Sequence, residues 1–244
     1  VRVRFLGSGD SVSAHGNHQA SYLVQSPGAT FLLDCGAMAL ASMKRDGIDP
    51  ATVDYILLSH LHGDHFAGLP FLFIEYTYER PRSRPLVIVG PPHTAERVQA
   101  LFSANYKDLA TRPSPFPLEF VEVEPGSVHD LGSVRLWPFR VPHQEVEISL
   151  GLKVEVEGRT ILYSGDTGWT EDLVTWSQGT DLFICECCYF ETRRPFHLDY
   201  PQIAANRERF GARRLVLTHL GAEVHARRSE IAMELAHDGL VIDL

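Results

Sequence analysis

Long hydrophobic runs are missing from this chain. No stretch approaches the roughly 18 to 20 apolar residues that cross a bilayer, and residues 1–5 alternate like a strand instead of reading as an export leader. No membrane partner is expected, and the expected location is cytoplasmic. Basic charge is also short: 22 Lys and Arg stand against 31 Asp and Glu, a formal net charge of −9, which excludes a broad polyanion-binding surface. Nucleic acid would have to be met by a local patch. Cysteine is scarce, with Cys35, Cys185, Cys187 and Cys188 the only four, and three of them crowd one apolar run. That layout makes no disulfide framework and lacks the paired Cys-x-x-Cys knuckles of a structural zinc site, so the cysteines read as packing residues in a reducing compartment. Linkers, short repeats and low-complexity tracts are absent as well. With 44% hydrophobic residues in 244, the chain can bury a sizeable core, and residues 1–244 read as one domain.

Histidine is what the chain has in plenty. Three of its twelve fall in Ser59-His60-Leu61-His62-Gly63-Asp64-His65, directly after the apolar run 53–58. A metal ion needs several unprotonated N or O donors converging on one point, and imidazole is the commonest side chain to supply them. If His60 and His62 point one way as the strand ends, Asp64 and His65 reach a second point a few ångströms off, so one motif serves two metals. The remaining ligands are expected at the ends of other apolar strands. His143 follows 134–139, Asp166 in Ser164-Gly165-Asp166-Thr167 follows 161–163, and His219 follows 215–217. An Asp with small neighbours is a natural bridge, since one carboxylate can serve both ions.

Elsewhere the pattern predicts strands at 1–6, 21–25, 29–34, 55–58, 86–89, 120–124, 133–141, 148–156, 160–163, 182–185, 214–218 and 240–242. Helices are predicted at 37–45, 94–106, 201–210 and 229–238. Two β-layers covered by helices account for this order. Gly7-Ser8-Gly9 lacks the third glycine and following helix of a dinucleotide fingerprint and reads as a tight turn. The loop carrying Arg80, Arg82 and Arg84 reads as solvated, with a phosphate contact as the alternative.

These residues carry a family resemblance. His60-Leu61-His62-Gly63-Asp64-His65 is the His-x-His-x-Asp-His signature of the metallo-β-lactamase superfamily. The series Phe5-Leu6-Gly7-Ser8-Gly9, Leu33-Asp34-Cys35-Gly36, Gly68-Leu69-Pro70, Gly90-Pro91, Ser164-Gly165-Asp166-Thr167 and Leu217-Thr218-His219 resembles its ribonuclease Z branch of phosphodiesterases over nearly the whole chain. The resemblance implies an α/β fold, a four-layer αββα sandwich with the site between the tops of two sheets. It also implies one metal on His60, His62 and His143, a second on Asp64, His65 and His219, and Asp166 bridging. Zinc is the first choice for both, with manganese or iron as alternatives. Ribonuclease Z relatives tend to be dimers, so a homodimer is carried over by analogy.

The chain departs from that pattern in two places. The branch has a long arm that grips transfer RNA between the third His ligand and the bridging Asp, whereas here only 22 residues separate His143 from Asp166. The branch's His-Glu pair appears as Cys185-Glu186, and a later His that assists the leaving group is matched by His197. Glu186 and His197 can form a proton relay; a Glu at a buried strand end can equally cap a neighbouring backbone group. The sequence therefore points to a binuclear metal-dependent hydrolase, a phosphodiesterase on a small or cyclic phosphodiester. A hydroxide held between the metals would attack phosphorus, Asp64 would orient it and His197 would protonate the leaving group. The alternatives are a lactone or thioester hydrolase, a transfer RNA 3′-end endonuclease and, last, a non-catalytic metal-binding module.

Overall fold

A computed structural model describes residues 1–244. The strands of the first half are β1 (Arg2–Gly7), β2 (Ser21–Gln25), β3 (Thr30–Leu33), β4 (Tyr55–Leu57), β5 (Leu86–Gly90), β6 (Leu118–Glu122) and β7 (His129–Asp130). Those of the second are β8 (Val134–Arg140), β9 (Leu150–Val156), β10 (Arg159–Tyr163), β11 (Leu182–Glu186), β12 (Arg214–Thr218), β13 (Glu234–Leu235) and β14 (Val241–Asp243). They form two seven-stranded sheets, in the orders β14-β1-β2-β3-β4-β5-β6 and β13-β12-β11-β10-β9-β8-β7. Each sheet is antiparallel along one side and turns parallel along the other, from β3 to β6 in the first and from β10 to β13 in the second.

Side-chain alternation along the strands decides the layers. Tyr22, Val24, Phe31 and Leu33 face inward and meet Leu152, Val154, Ile161, Ile184 and Val216 of the other sheet in a core between the sheets. The intervening Leu23, Leu32 and Ile56 face outward, beneath α1 (Ala39–Arg45), the short α2 (Gly63–Phe66), α3 (Leu69–Ile74) and α4 (Thr94–Asn105), which runs into the turn α5 (Lys107–Ala110). On the far side Leu162, Phe183, Cys185 and Leu217 pack outward against α6 (Glu171–Ser177), α7 (Tyr200–Asn206) and α8 (Ala222–Ala226). Three apolar layers between four structural ones are the expected αββα sandwich. Each fully buried Leu, Ile or Val contributes roughly 1.5–3 kcal/mol, so this order of faces is strongly held. No helix is long and apolar enough to cross a membrane.

One predicted helix is not one. Residues 229–238 form a 3-10 turn at Arg228–Glu230 and then β13, which pairs parallel with β12. Ile231, Met233 and Leu235 recur every second residue and all pack on the outer core, so the period is that of a strand. The aromatic run 68–78, unassigned from sequence, is α3 followed by a π-helical turn, Glu75–Glu79. Two backbone hydrogen bonds stitch the sheets together at one end: Leu150 N–H donates to Ser59 O at 2.9 Å and Leu220 N–H to Ser8 O at 3.0 Å. That end carries the histidines.

Candidate metal centre

Strand ends from both sheets deliver the cluster. The chain leaves β4 through Ser59 and His60, and α2 lifts Asp64 and His65 to the same level. The segment after β8 brings His143, the turn after β10 brings Asp166 and the residue after β12 is His219. Glycine is required next to Asp166: Gly165 has φ +59°, and a Cβ there would lie 2.5 Å from Leu150 O. Asp34 and His219 adopt left-handed backbone, φ 55° and 54°, uncommon for non-glycine residues though most readily tolerated by Asn, Asp and His.

All seven donors named from the sequence come together. Asp64, His65, Asp166 and His219 form one convergent group and His60, His62 and His143 another. In the first, Asp64 Oδ2 lies 3.2 Å from His65 Nε2 and 3.4 Å from His219 Nε2, while Asp166 Oδ2 lies 3.3 Å from both nitrogens. Four atoms linked by sides near 3.3 Å close around a point roughly 2.0–2.3 Å from each, close to the length of a Zn–N or Zn–O bond. In the second, His143 Nε2 faces His62 Nδ1 at 3.0 Å. Asp166 Oδ2 stands 4.0 Å from His60 Nε2 and 3.9 Å from His143 Nε2, and so lies between the two groups.

Two observations fit this set to metal ions. Five buried side-chain atoms in the protein have no hydrogen-bond partner, and four of them, His60 Nε2, His65 Nε2, Asp166 Oδ1 and His219 Nδ1, belong to the cluster. Unpaired buried polar atoms are costly and call for an explanation, and a bound cation supplies one for those facing the convergence points. Charge is the second. Burial favours neutral forms, yet Asp166 and Asp64 are held well below the carboxylate range by His219 and His65, and those two imidazoles are raised well above 6.5 by the carboxylates. This is a site that draws positive charge. His60 lies well below its ordinary value and His143 is lowered to about 4, chiefly by burial, which leaves their ring nitrogens as lone-pair donors.

The ring orientations are set by partners, several of which sequence reasoning missed. Asp34, fully buried, accepts from Ser59 N–H, Ser59 Oγ, His65 Nδ1 and Tyr163 Oη, each at 2.7 Å. Since Ser59 Oγ donates to Asp34, it accepts from His60 Nδ1 at 3.0 Å. His143 Nδ1 donates to Phe196 O at 2.9 Å. In each ring the second nitrogen is thereby left for the convergence point. The sequence traces of this layer were Asp34 and Ser59, each quoted only as a member of a motif and given no role.

Glu186 and His197 also meet. The Glu186 carboxylate accepts from His197 Nδ1 at 3.0 Å and from Thr167 N–H, so one side chain makes both the backbone cap and the imidazole contact that a relay would need. Burial pushes the Glu186 carboxyl up, and its bond to His197 offsets this only in part. Burial lowers His197, but the hydrogen bond and charge of Glu186, together with the Asp166 charge, outweigh it and leave the imidazole raised. Its ring stands 4.9 Å from that of His143 and 5.8 Å from that of His219. The arginines, by contrast, lie elsewhere. Arg82 is buried, donating to Arg84 O, Ala51 O and Pro85 O, and Arg84 pairs with Asp54. None of the three arginines lines the cleft above the cluster. This cleft, about 640 Å³, has Asp10, Val12, Tyr189, Phe196 and Glu223 in its walls and no Lys or Arg.

Two sheets with helices outside and a His/Asp cluster at their shared mouth make the metallo-β-lactamase fold, and sequence likeness to ribonuclease Z puts the chain in the ribonuclease Z-like branch, a class of hydrolases. The short form of human tRNase Z has the same fold, with a TM-score of 0.81 at 23% identity over 100% of this chain and 99% of that one. So does a diphosphatase of the PhnP family, with a TM-score of 0.79 at 20% identity over 100% and 97%. Within this class, the chain belongs to the family described as anti-Pycsar protein Apyc1, whose model matches residues 1–241. An uncharacterized Mycobacterium tuberculosis protein is 32% identical over 228 residues, 90% of this chain and 81% of the relative. A ribonuclease Z of Mycobacterium marinum is 29% identical over 239 residues, 90% and 86% of the two chains.

Proposed function

We propose that this protein is a binuclear metal-dependent phosphodiesterase acting on a small or cyclic phosphodiester. The observation that carries the reading is the pairing of a seven-donor cradle with His197, held by the buried Glu186, on the wall of an open cleft that offers no Lys or Arg. His60, His62 and His143 would hold one divalent ion and Asp64, His65 and His219 the other, with Asp166 between them and zinc the first candidate. Such ions, when bound, supply a water acidic enough to ionise at neutral pH and positive charge beside the phosphoryl oxygens.

The chain's own groups do the rest. Asp64 accepts a hydrogen bond from the attacking water and fixes its direction. His197, with Nδ1 held by Glu186, presents Nε2 to the leaving oxygen and gives it a proton. Folded RNA would bring many phosphates to walls that offer no Lys or Arg, and the segment between His143 and Asp166 contains no arm to hold it. The ribonuclease Z relatives support attack at phosphorus over attack at a carbonyl carbon.

The test is a turnover panel with zinc, manganese or iron supplied. Cyclic nucleotides, 2′,3′-cyclic phosphates and bis(4-nitrophenyl) phosphate should be cleaved, and precursor transfer RNA, lactones and thioesters should not. Turnover confined to the last three would overturn the reading. His62→Ala should abolish activity with the circular dichroism spectrum kept. His197→Ala should slow poor leaving groups by about 10²-fold or more and bis(4-nitrophenyl) phosphate far less; equal losses would remove His197 from the leaving-group role.

A further inference from the structure

Cys188 differs from its neighbours in where it sits. Cys185 and Cys187 belong to the outer apolar core, whereas Cys188, 7% exposed, lines the cleft. Its Sγ and one ring nitrogen each of His197 and His219 lie within 4.8 Å of one another. His219 has a donor to spare. Its Nε2 faces Asp64 and Asp166, and its buried Nδ1 has no partner, whereas His60, His65 and His143 each tie their second nitrogen to an oxygen. His197 spends Nδ1 on Glu186 and keeps Nε2. The segments carrying Cys188 and His219 are pressed together: a Cβ on Gly221 would lie 2.2 Å from Cys188 O.

We propose that Cys188, His197 and His219 form a third metal site, which takes a thiophilic divalent ion such as cadmium or excess zinc and thereby arrests the cleft. One sulfur and two nitrogens with a fourth position open to water is a familiar zinc coordination set, and hard ions such as manganese are poor partners for thiolate. Binding releases two protons, one from the Cys188 thiol and one from His219 Nδ1, while neutral His197 contributes the Nε2 lone pair; no electrons are transferred. The ion removes His197 from proton transfer and couples His219 to a second charge. The arrest rests on the phosphodiesterase reading; the binding does not.

Zinc-loaded protein titrated with cadmium decides between outcomes. The thiolate-to-cadmium ultraviolet band should grow to one equivalent per chain, turnover of bis(4-nitrophenyl) phosphate and of a cyclic nucleotide should fall in step, and manganese should produce neither change. Cys188→Ser should keep basal turnover, lose the band and need on the order of tenfold more cadmium for inhibition. His197→Ala should retain a band at weaker affinity. No band in the wild-type protein, or an equal band in Cys188→Ser arising from the other cysteines, overturns the site. A band without inhibition overturns the arrest. If Cys188→Ser fails to fold, the wild-type cadmium and manganese titrations still decide. If no phosphodiester is turned over, the function proposed above falls while the band and the metal stoichiometry still judge this site.

Discussion

Four donors converge on the Asp34 carboxylate, and through them one side chain orients His65 directly and His60 by way of Ser59. Asp34→Asn keeps the size but sets an NH₂ group among donors. Metal affinity should drop on the order of ten- to a hundredfold, read by competition with a chromophoric chelator; an unchanged affinity would show that the rings need no such support. His197 is governed by the Glu186 carboxylate beside it. Its pKa is raised, so the acid form persists above the usual imidazole range and is lost as pH rises through the raised value. Glu186→Gln removes the charge that raises it, and the alkaline limb of kcat for a poor leaving group should move to lower pH. A limb that stays put would mean that another group supplies the proton. The metal-facing donors were legible because imidazoles and carboxylates after buried strands have few other uses. Asp34, Ser59 and Tyr163 were not, because which hydroxyl reaches which carboxylate is settled by folding residues 34, 59 and 163 together.

His197 lies in the stretch between β11 and α7, and Glu223 on α8 clamps that stretch. Its carboxylate accepts from the N–H groups of Phe190, Glu191 and Thr192 at 3.1, 2.9 and 3.0 Å and from Thr192 Oγ1. These bonds, with that of the Thr192 side chain the largest, pull the carboxyl down to about 2. Arg227 adds an ion pair to Glu191 and lies 5.1 Å over the Phe190 ring. Because α8 starts three residues after His219, the clamp fixes His197 relative to a proposed metal ligand. Glu223→Gln loses an acceptor, and kcat for poor leaving groups should fall about tenfold, part of the ~10²–10⁴ that general acids contribute. An equal loss with bis(4-nitrophenyl) phosphate would assign Glu223 a wider structural role. No motif announced this contact, since a Glu in a first helical turn reads as helix chemistry. The strands were the easiest elements to foresee, the two-residue β7 and, more tellingly, β13 excepted. There Ile231, Met233 and Leu235 alternate within a sequence of good helix formers, and pairing with β12 overrode propensity.

Across the whole molecule, each sheet holds an incomplete ligand set. The first supplies His60, His62, Asp64 and His65 and the second His143, Asp166 and His219, so both proposed ions would join the sheets across their seam. This layered arrangement was legible from strand order and alternation, while the open, Lys- and Arg-free cleft depends on loop placement that no pattern encodes. Loading to a hundredfold excess over the dissociation constant should stabilise by about 2.7 kcal/mol for each ion held and raise Tm by roughly 5–10 °C per ion, with a chelator reversing it. A Tm indifferent to metal would place the ions, if any, outside the cradle. The two backbone bonds that stitch the mouth, Leu150 N–H to Ser59 O and Leu220 N–H to Ser8 O, make the seam directly observable. Local opening there must separate donors flanking both convergence points, so a bound ion closes the route by which those two amides meet water. Their deuterium uptake should slow far more on metal addition than that of the distant β6 and β7 edges, making Leu150 and Leu220 a built-in occupancy gauge that requires no substrate.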